Sequence, residues 1–154
     1  MRKTVIDSVR EFQQLEGQNL GQSEWLEVAQ EIINKFADAT FDHQWIHVDE
    51  QRAKLESPYK STIAHGYLTL SFLPYLLNQI LHVNNLKQVV NYGIEKMIFK
   101  SIVPANSRLR LNATLKSAID LGDICKAKIY CTFEIEGQDK PVLEGSIIYL
   151  YYFY

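Results

Sequence analysis

Residues 67–81 restrict the possible folds of this chain more than any other segment. Their apolar side chains lie on nearly every side of a helix, yet the segment is too short to cross a bilayer. Such a helix is expected to be buried all round, with Leu70, Leu73 and Leu77 covered by other elements. Pro74 donates no main-chain hydrogen bond and is expected to kink the helix.

The second half of the chain contains strands that can surround this helix. Apolar and polar residues alternate over residues 108–116 and again over residues 125–136, with a turn at residues 120–123 between them. This is the pattern of two half-buried strands joined as a hairpin. Residues 142–153 and 89–99 are also expected to be strands. The sequence therefore predicts an α+β fold in which one antiparallel sheet wraps around the apolar helix.

The residues that precede the helix are expected to form two further helices and one short strand. Apolar residues recur at helical spacing over residues 5–15 and 32–40, and residues 24–28 suit a strand. A chain of 154 residues is long enough for one ordinary domain and too short for two. Residues 1–154 are therefore expected to form a single domain.

The charge and composition argue against several classes of partner. A net charge of −2 at pH 7 produces no general attraction to nucleic acid or to an anionic membrane. The N-terminal residues lack the apolar core of a signal peptide. Cys125 and Cys131 lie on one predicted strand, roughly 20 Å apart at the usual rise per residue, which is too far for a disulfide. We expect free, buried thiols in a cytoplasmic protein.

Polar residues concentrate immediately before the apolar helix. Asp42 and His47 are five positions apart. A carboxylate and an imidazole on one short loop can share a water molecule, one group removing a proton and the other delivering one. The same spacing also fits a capping aspartate and a buried structural histidine, and taken alone it favours that structural interpretation.

Gly66 lies where the apolar helix begins. Main-chain N–H groups at a helix N-terminus have no partner within the helix and can bind a carbonyl oxygen that gains negative charge during a reaction. A glycine chosen for close packing against the sheet is an equally good explanation of this residue.

Several short motifs surround these residues. They are Phe36-Ala37-Asp38-Ala39-Thr40, Asp42-x-x-x-x-His47-Val48-Asp49, Ser57-Pro58-Tyr59, Thr62-Ile63-Ala64-His65-Gly66-Tyr67-Leu68 and Asn91-Tyr92-Gly93. In this combination they resemble the MaoC-like dehydratase family of hot-dog-fold proteins, which includes the (R)-specific enoyl-CoA hydratases. Within that family the chain is most similar to the single-domain 3-hydroxyacyl-thioester dehydratases related to nodulation protein N.

The resemblance implies a fold, a reaction and a site. The fold is a hot-dog, an antiparallel sheet around a central helix at about residues 65–81. The reaction is reversible hydration of a trans-2-enoyl-CoA or enoyl-ACP to the (R)-3-hydroxyacyl thioester. Asp42 and His47 fall on the catalytic pair of the family, and Gly66 on the glycine whose amide polarises the thioester carbonyl. The resemblance also implies a homodimer without a metal or organic cofactor.

This assignment is chemically complete. Conjugate addition of water needs a base, an acid and a group that stabilises the enolate oxygen, and Asp42, His47 and the Gly66 amide supply one of each. Because the pair shares one water, the sequence leaves open which residue is the base. The acyl chain is expected to run beside the helix. The side chains expected to contact the substrate are His65, Tyr67, Ser71, Phe72 and Tyr75, with His65 mainly bracing the loop.

Three other functions are compatible with the sequence. His43 and His47 are spaced to share a metal with Asp42 or Asp49, although the segment lacks the glutamate of zinc metalloproteases. Thioester hydrolysis on the same fold would use Asp42 to activate water against the carbonyl. A non-catalytic hot-dog dimer would bind acyl-CoA or only assemble.

Overall fold

In a computed structural model of the chain, which describes residues 3–154, eight strands and six helices are present within that range. In chain order they are β1 (Thr4–Ile6), α1 (Val9–Gln14), β2 (Asn19–Gln22), β3 (Leu26–Val28), α2 (Gln30–Thr40), α3 (Trp45–Val48), α4 (Glu50–Glu56), α5 (Gly66–Ser71), α6 (Leu73–Ile80), β4 (Leu81–Val83), β5 (Leu86–Phe99), β6 (Ser107–Asp120), β7 (Ile124–Ile135) and β8 (Leu143–Phe153). Across residues 3–154, every helix is too short or too polar to span a membrane.

The main sheet is antiparallel, with its strands in the order β2-β6-β7-β8-β5 and with β3 also paired to β6. Side chains of β7 alternate strictly between buried and partly exposed positions, as the sequence predicted. Cross-strand pairs such as Leu111 with Phe133 place apolar side chains on the inner face. The predicted antiparallel strands are confirmed, and Cys125 and Cys131 are free and buried on β7.

The predicted central helix is divided into two helices. Helix α5 ends at Ser71, Phe72 links the two, and α6 begins at Leu73 with Pro74 in its first turn. A proline in the first turn needs no main-chain donor, because the N–H groups there have no partner within the helix. The expected kink at Pro74 is therefore an interruption at Phe72, a residue that keeps a helical conformation.

The helix pair is buried on one side and open on the other, so the expectation of burial all round is wrong for the single chain. Leu73 and Leu77 are buried in the core, while Leu70 is partly buried against it. Tyr67, Ser71 and Tyr75 are exposed. They follow one another at four-residue intervals, which places them on a common face of the helical segment.

Strand β5 is an edge of the sheet and runs beside this open face. Its side chains are mostly exposed, and they include the large apolar groups of Tyr92, Ile94 and Phe99. The rings of Tyr67 and Phe99 meet edge to face with centroids 5.9 Å apart. An exposed apolar surface therefore extends from the helix onto the edge strand.

The N-terminal region differs from the predicted single helix at residues 5–15. Strand β1 pairs in parallel with β4, and α1 begins only at Val9, after Ser8, whose side chain accepts a hydrogen bond from the N–H of Glu11. The predicted helix at residues 32–40 is confirmed as α2, and the strand at residues 24–28 is confirmed as the shorter β3.

Candidate active site

Asp42 lies on the segment that joins α2 to α3, and His47 lies on α3. Helix α2 ends at Thr40, and Phe41 then adopts a left-handed conformation with φ of 62°. The chain turns there and places Asp42 at the surface, while His47 on α3 points inward and is 7% exposed. Two residues five apart in sequence thus occupy very different environments.

The ring of His47 is held in one orientation. Its Nδ1 lies 2.7 Å from the main-chain oxygen of Ile63. A carbonyl oxygen only accepts, so Nδ1 carries the hydrogen and the neutral ring keeps an unprotonated Nε2. Burial is the main cause that lowers the pKa of His47, and the nearby His65 lowers it further, against the opposing effects of Ile63 and Asp42. At neutral pH His47 is therefore an uncharged base.

His65 lies directly behind His47 and is 3% exposed. The two imidazole rings stack with centroids 3.8 Å apart and planes inclined by 24°. On the other side, the ring of Phe36 is 5.0 Å away. The Nε2 of His65 donates to the main-chain oxygen of Asp42 at 3.0 Å and lies 3.9 Å from its carboxylate. The sequence placed His65 among the residues that contact substrate; here the ring supports the loop.

Gly66 is the first residue of α5, so its N–H is one of the main-chain donors that the helix itself does not use. The packing explanation of this glycine also holds. A Cβ atom at this position would lie 2.9 Å from the ring of Phe99, closer than real contacts allow. Close packing and a free N–H group are therefore compatible explanations of this glycine, because both concern the first residue of α5.

A cavity of about 350 Å³ begins beside His47. Its other walls are mainly apolar and include Gly66, Tyr67, Phe99, Ser101 and Val142. A second cavity of about 480 Å³ lies farther along the same helical segment. Its walls include Ser71, Pro74, Ile94 and Ile148.

The two cavities lie between the same elements, and we call them the first and second parts of the groove. Each is bounded on one side by α5 or α6 and on the other by β5 and β8. Tyr67 lies in the first part and Ser71 in the second. Tyr75 is exposed on the same helical face, and Phe72 is half-buried against the core. Of the residues expected to contact substrate, Tyr67 and Ser71 therefore line the groove, Tyr75 lies on the surface, and Phe72 packs against the core.

Gln30 is a site residue that the sequence did not reveal. From the first turn of α2, its Nε2 donates to the main-chain oxygen of His47 at 2.7 Å. Its Oε1 accepts a short hydrogen bond from the hydroxyl of Thr62. A glutamine at the start of a helix carries no pattern that distinguishes it from other polar surface residues, so only the folded chain identifies this contact.

The metal site considered from the sequence is not assembled. His43 pairs with Asp38 at 2.8 Å on the surface, and Asp49 accepts from the N–H of Arg52 at the start of α4. Within residues 3–154, Asp42, His47 and His65 instead bring potential ligand atoms within 4.8 Å of one another. One nitrogen of each histidine, Nδ1 of His47 and Nε2 of His65, already donates to a carbonyl oxygen.

Comparisons with known proteins identify the family of this chain. Residues 11–131 match the family described as MaoC like domain. The chain is 42% identical to 3-hydroxyacyl-thioester dehydratase Z of Mycobacterium tuberculosis over 96% of this chain and 97% of that protein. It is 41% identical to nodulation protein N of Rhizobium leguminosarum bv. viciae, over 86% of this chain and 83% of that protein.

A solved structure with a similar fold is the unliganded R-hydratase PhaJ1 of Pseudomonas aeruginosa. It superposes with a TM-score of 0.74 over 90% of this chain and 83% of that chain, at 16% identity. This likeness confirms the predicted hot-dog fold. Taken with the family match and the relatives above 40% identity, it means that the chain belongs to the family of MaoC-like domain proteins.

Proposed function

We propose that the protein is a hydro-lyase that reversibly hydrates trans-2-enoyl thioesters to (R)-3-hydroxyacyl thioesters. The observation that carries this proposal is that Asp42 lies beside His47, which lines an apolar groove together with Gly66. Polar atoms of Asp42 and His47 lie within 4.8 Å of each other. Two hydrogen bonds of about 2.8 Å through one water molecule span such a distance. The dehydratase named above is a relative with the same reaction in its name.

In this proposal His47 is the group that moves the proton. Its neutral Nε2 accepts a proton from the water while the water oxygen forms a bond to the β-carbon of the enoyl thioester. The same proton is then delivered to the α-carbon, so that water supplies every atom added. Asp42 accepts the second hydrogen bond of the water and orients it. The N–H of Gly66 binds the oxygen of the thioester carbonyl as it gains enolate charge.

The direct test is incubation of the protein with crotonyl-CoA and with longer enoyl-CoAs. Loss of the enoyl absorbance without release of thiol is the expected result, with the (R)-3-hydroxyacyl thioester as product. Thiol release would instead identify a thioesterase, and no change with any enoyl thioester would contradict the hydratase proposal. Parallel reactions with enoyl thioesters of acyl carrier protein determine the carrier.

The hydration rate is expected to fall at acid pH with a midpoint below 6.5, the ordinary pKa of histidine. Because burial lowers the pKa of His47, the neutral ring persists to lower pH than in a solvated histidine. Protonation of the ring then removes the base. A profile of kcat/KM against pH reports this group in the free enzyme, and a midpoint above 6.5 would contradict the assignment of His47 as the neutral base.

We propose that the acyl chain follows the groove from His47 past Ser71. Ser101→Leu in the first part of the groove is expected to slow both medium and long enoyl-CoAs. Ser71→Leu in the second part is expected to slow only the long ones and to spare crotonyl-CoA. Both serines are exposed, so both variants should fold. Steady-state kinetics over a series of chain lengths measures the effect, and equal slowing of all substrates by Ser71→Leu would exclude this path.

We also propose that the protein is a homodimer in which two β5 edges adjoin. An exposed edge strand with apolar side chains is a surface that soluble proteins usually cover. A second copy related by a two-fold axis would cover β5 and close the open side of the groove. We further propose that residues 1–154 act as one domain and that the protein works in the cytoplasm, where its two free cysteines stay reduced.

Ile94→Lys is expected to convert the dimer into a monomer, because it places a charge in the centre of the proposed contact. Ile119→Lys is the matched control, since Ile94 is 57% exposed and Ile119 is 50% exposed but lies at the far end of β6. Light scattering coupled to size-exclusion chromatography gives the mass of each variant. A dimer that survives Ile94→Lys unchanged would place the interface elsewhere.

A further inference from the structure

His65 is connected to each of the three groups that carry the proposed chemistry. Its ring stacks on His47 at 3.8 Å. Its Nε2–H donates to the main-chain oxygen of Asp42 at 3.0 Å. It also precedes Gly66 directly, as the residue that caps α5. One buried side chain thus links the loop of Asp42, the ring of His47 and the start of the helix.

Stability alone does not explain a histidine at this position. With Nε2 carrying the hydrogen, Nδ1 is left as an acceptor, and this atom is buried without a hydrogen-bond partner among the residues that the structure describes. Burial of an unpaired polar atom is unfavourable, and native proteins seldom tolerate it. An apolar side chain would fill the space between Phe36 and His47 without this cost. The imidazole is therefore expected to have a role that an apolar residue cannot fill.

The surroundings of Asp42 indicate what that role is. Its side chain is exposed, and it follows Phe41, which holds an unfavourable left-handed conformation. Besides a long 3.4 Å contact from the N–H of Gln44 to its carboxylate, the bond from His65 is the hydrogen bond that ties Asp42 to the rest of the protein among the described residues. Loss of this bond would free the loop, while loss of the stacked ring would free the plane of His47.

We infer that His65 is a positioning residue that fixes Asp42 and His47 relative to the amide of Gly66. This inference rests on the proposed hydratase function. In this role His65 contacts Asp42 and His47 and not the water or the thioester, and it moves no proton. It acts by holding the two loop residues at the helix start, and misplacement by about 1 Å is enough to cost roughly 100-fold in rate.

Three variants separate positioning from simple packing. His65→Leu fills the space and removes the hydrogen bond to the main-chain oxygen of Asp42. His65→Gln keeps an N–H that can reach this oxygen. His43→Gln is the control, because His43 is an exposed histidine of the same segment. We expect His65→Leu to lower kcat by roughly 10- to 100-fold with little change in KM. His65→Gln should restore a substantial part of kcat, and His43→Gln should resemble the wild type.

The thermal midpoint and the NMR signals of His47 complete the experiment. His65→Leu should remain folded, because leucine fills the buried space and the lost hydrogen bond to Asp42 is offset by removal of the unpaired nitrogen. The ¹⁵N signals of His47, assigned by their loss in His47→Gln, should report the Nδ1–H tautomer set by Ile63 in both proteins, with sharp signals in the wild type and exchange-broadened signals in His65→Leu, where the ring is no longer held by stacking. A folded His65→Leu with the kcat of His43→Gln overturns the inference, as does a loss of kcat that only follows loss of folded protein.

The NMR measurement tests the role of His65 separately from the proposed hydratase function. If the wild type hydrates no enoyl thioester, the hydratase proposal fails on its own assay. The His47 signals still decide the question of positioning, because they need no substrate. Identical His47 signals in the wild type and His65→Leu would overturn the role of His65 in either case.

Discussion

Asp42→Asn and His47→Gln are each expected to lower the kcat of hydration by about 10²- to 10⁴-fold, the usual contribution of a positioned proton-transfer group. The asparagine keeps the shape of Asp42 and loses the charge that orients water. The glutamine keeps the polarity of His47 and loses the base. Circular dichroism should show an unchanged fold for both, because Asp42 is exposed and the lost bond of His47 to Ile63 is a single contact.

The double variant is expected to be little slower than the slower single variant. Residues that act on one water form a unit, so loss of the second adds little once the first is gone. Additive losses would mean that Asp42 and His47 act in separate steps. Near-wild-type turnover by either folded single variant would remove that residue from the mechanism.

The chain offers a matched control for this experiment. Asp38 and His43 have the same five-residue spacing as Asp42 and His47, and their side chains are hydrogen-bonded at 2.8 Å. Both of the control residues are exposed and lie outside the groove. Asp38→Asn and His43→Gln should therefore leave kcat unchanged. Two pairs of equal spacing in one segment also show why spacing alone does not identify a catalytic pair.

The long strands were predictable because their pattern reflects a local property. On β7, buried and partly exposed side chains alternate without exception, and the sequence shows the same alternation of apolar and polar residues. Strands β1 and β2 have three and four residues, too few to show a period. Strand β1 depends on pairing with β4, more than seventy residues away, and sequence periodicity carries no information about such a partner.

The central helix was only partly predictable, for a different reason. Its apolar composition correctly indicated burial of Leu73 and Leu77, but the exposed Tyr67 and Tyr75 contribute equally to the same pattern. An apolar residue that faces the core and one that faces a ligand or a second copy look alike in a sequence. The apolar pattern therefore predicted that other groups cover this helical segment. It did not distinguish the residues that face the core from those that face the groove.

The candidate site shows the same limit. Asp42, His47 and Gly66 were selected by their resemblance to a family, because short motifs are local. The stacking of His65 on His47 and the bond from Gln30 to His47 join segments 17 or 18 positions apart. Such contacts arise from the packing of α2, α3 and α5 together. The residues that hold a catalytic group in place are therefore harder to predict from sequence than the catalytic group itself.

Gly66→Ala is expected to lower kcat by roughly 100-fold while leaving the protein folded. The new Cβ would lie 2.9 Å from the ring of Phe99, so either the ring or the start of α5 has to move. A shift of the helix start moves the N–H that binds the enolate oxygen. The conformation of Gly66 itself is open to alanine, and alanine favours helices by up to ~1 kcal/mol over glycine, so the thermal midpoint should not fall greatly.

Phe99→Leu in the Gly66→Ala background is expected to recover much of the lost kcat, because the smaller side chain leaves room for the new methyl group. Phe99→Leu alone supplies the baseline, since Phe99 also lines the groove. Recovery in the double variant would mean that Gly66 acts through the position of the helix start, which joins its packing role to its amide role.

If Gly66→Ala hydrates crotonyl-CoA at the wild-type rate, the clash is absorbed by Phe99 without moving α5, and the expected coupling between packing and catalysis is absent. If the double variant stays as slow as Gly66→Ala, the methyl group itself obstructs the thioester, and the glycine is required for access of the substrate to the amide.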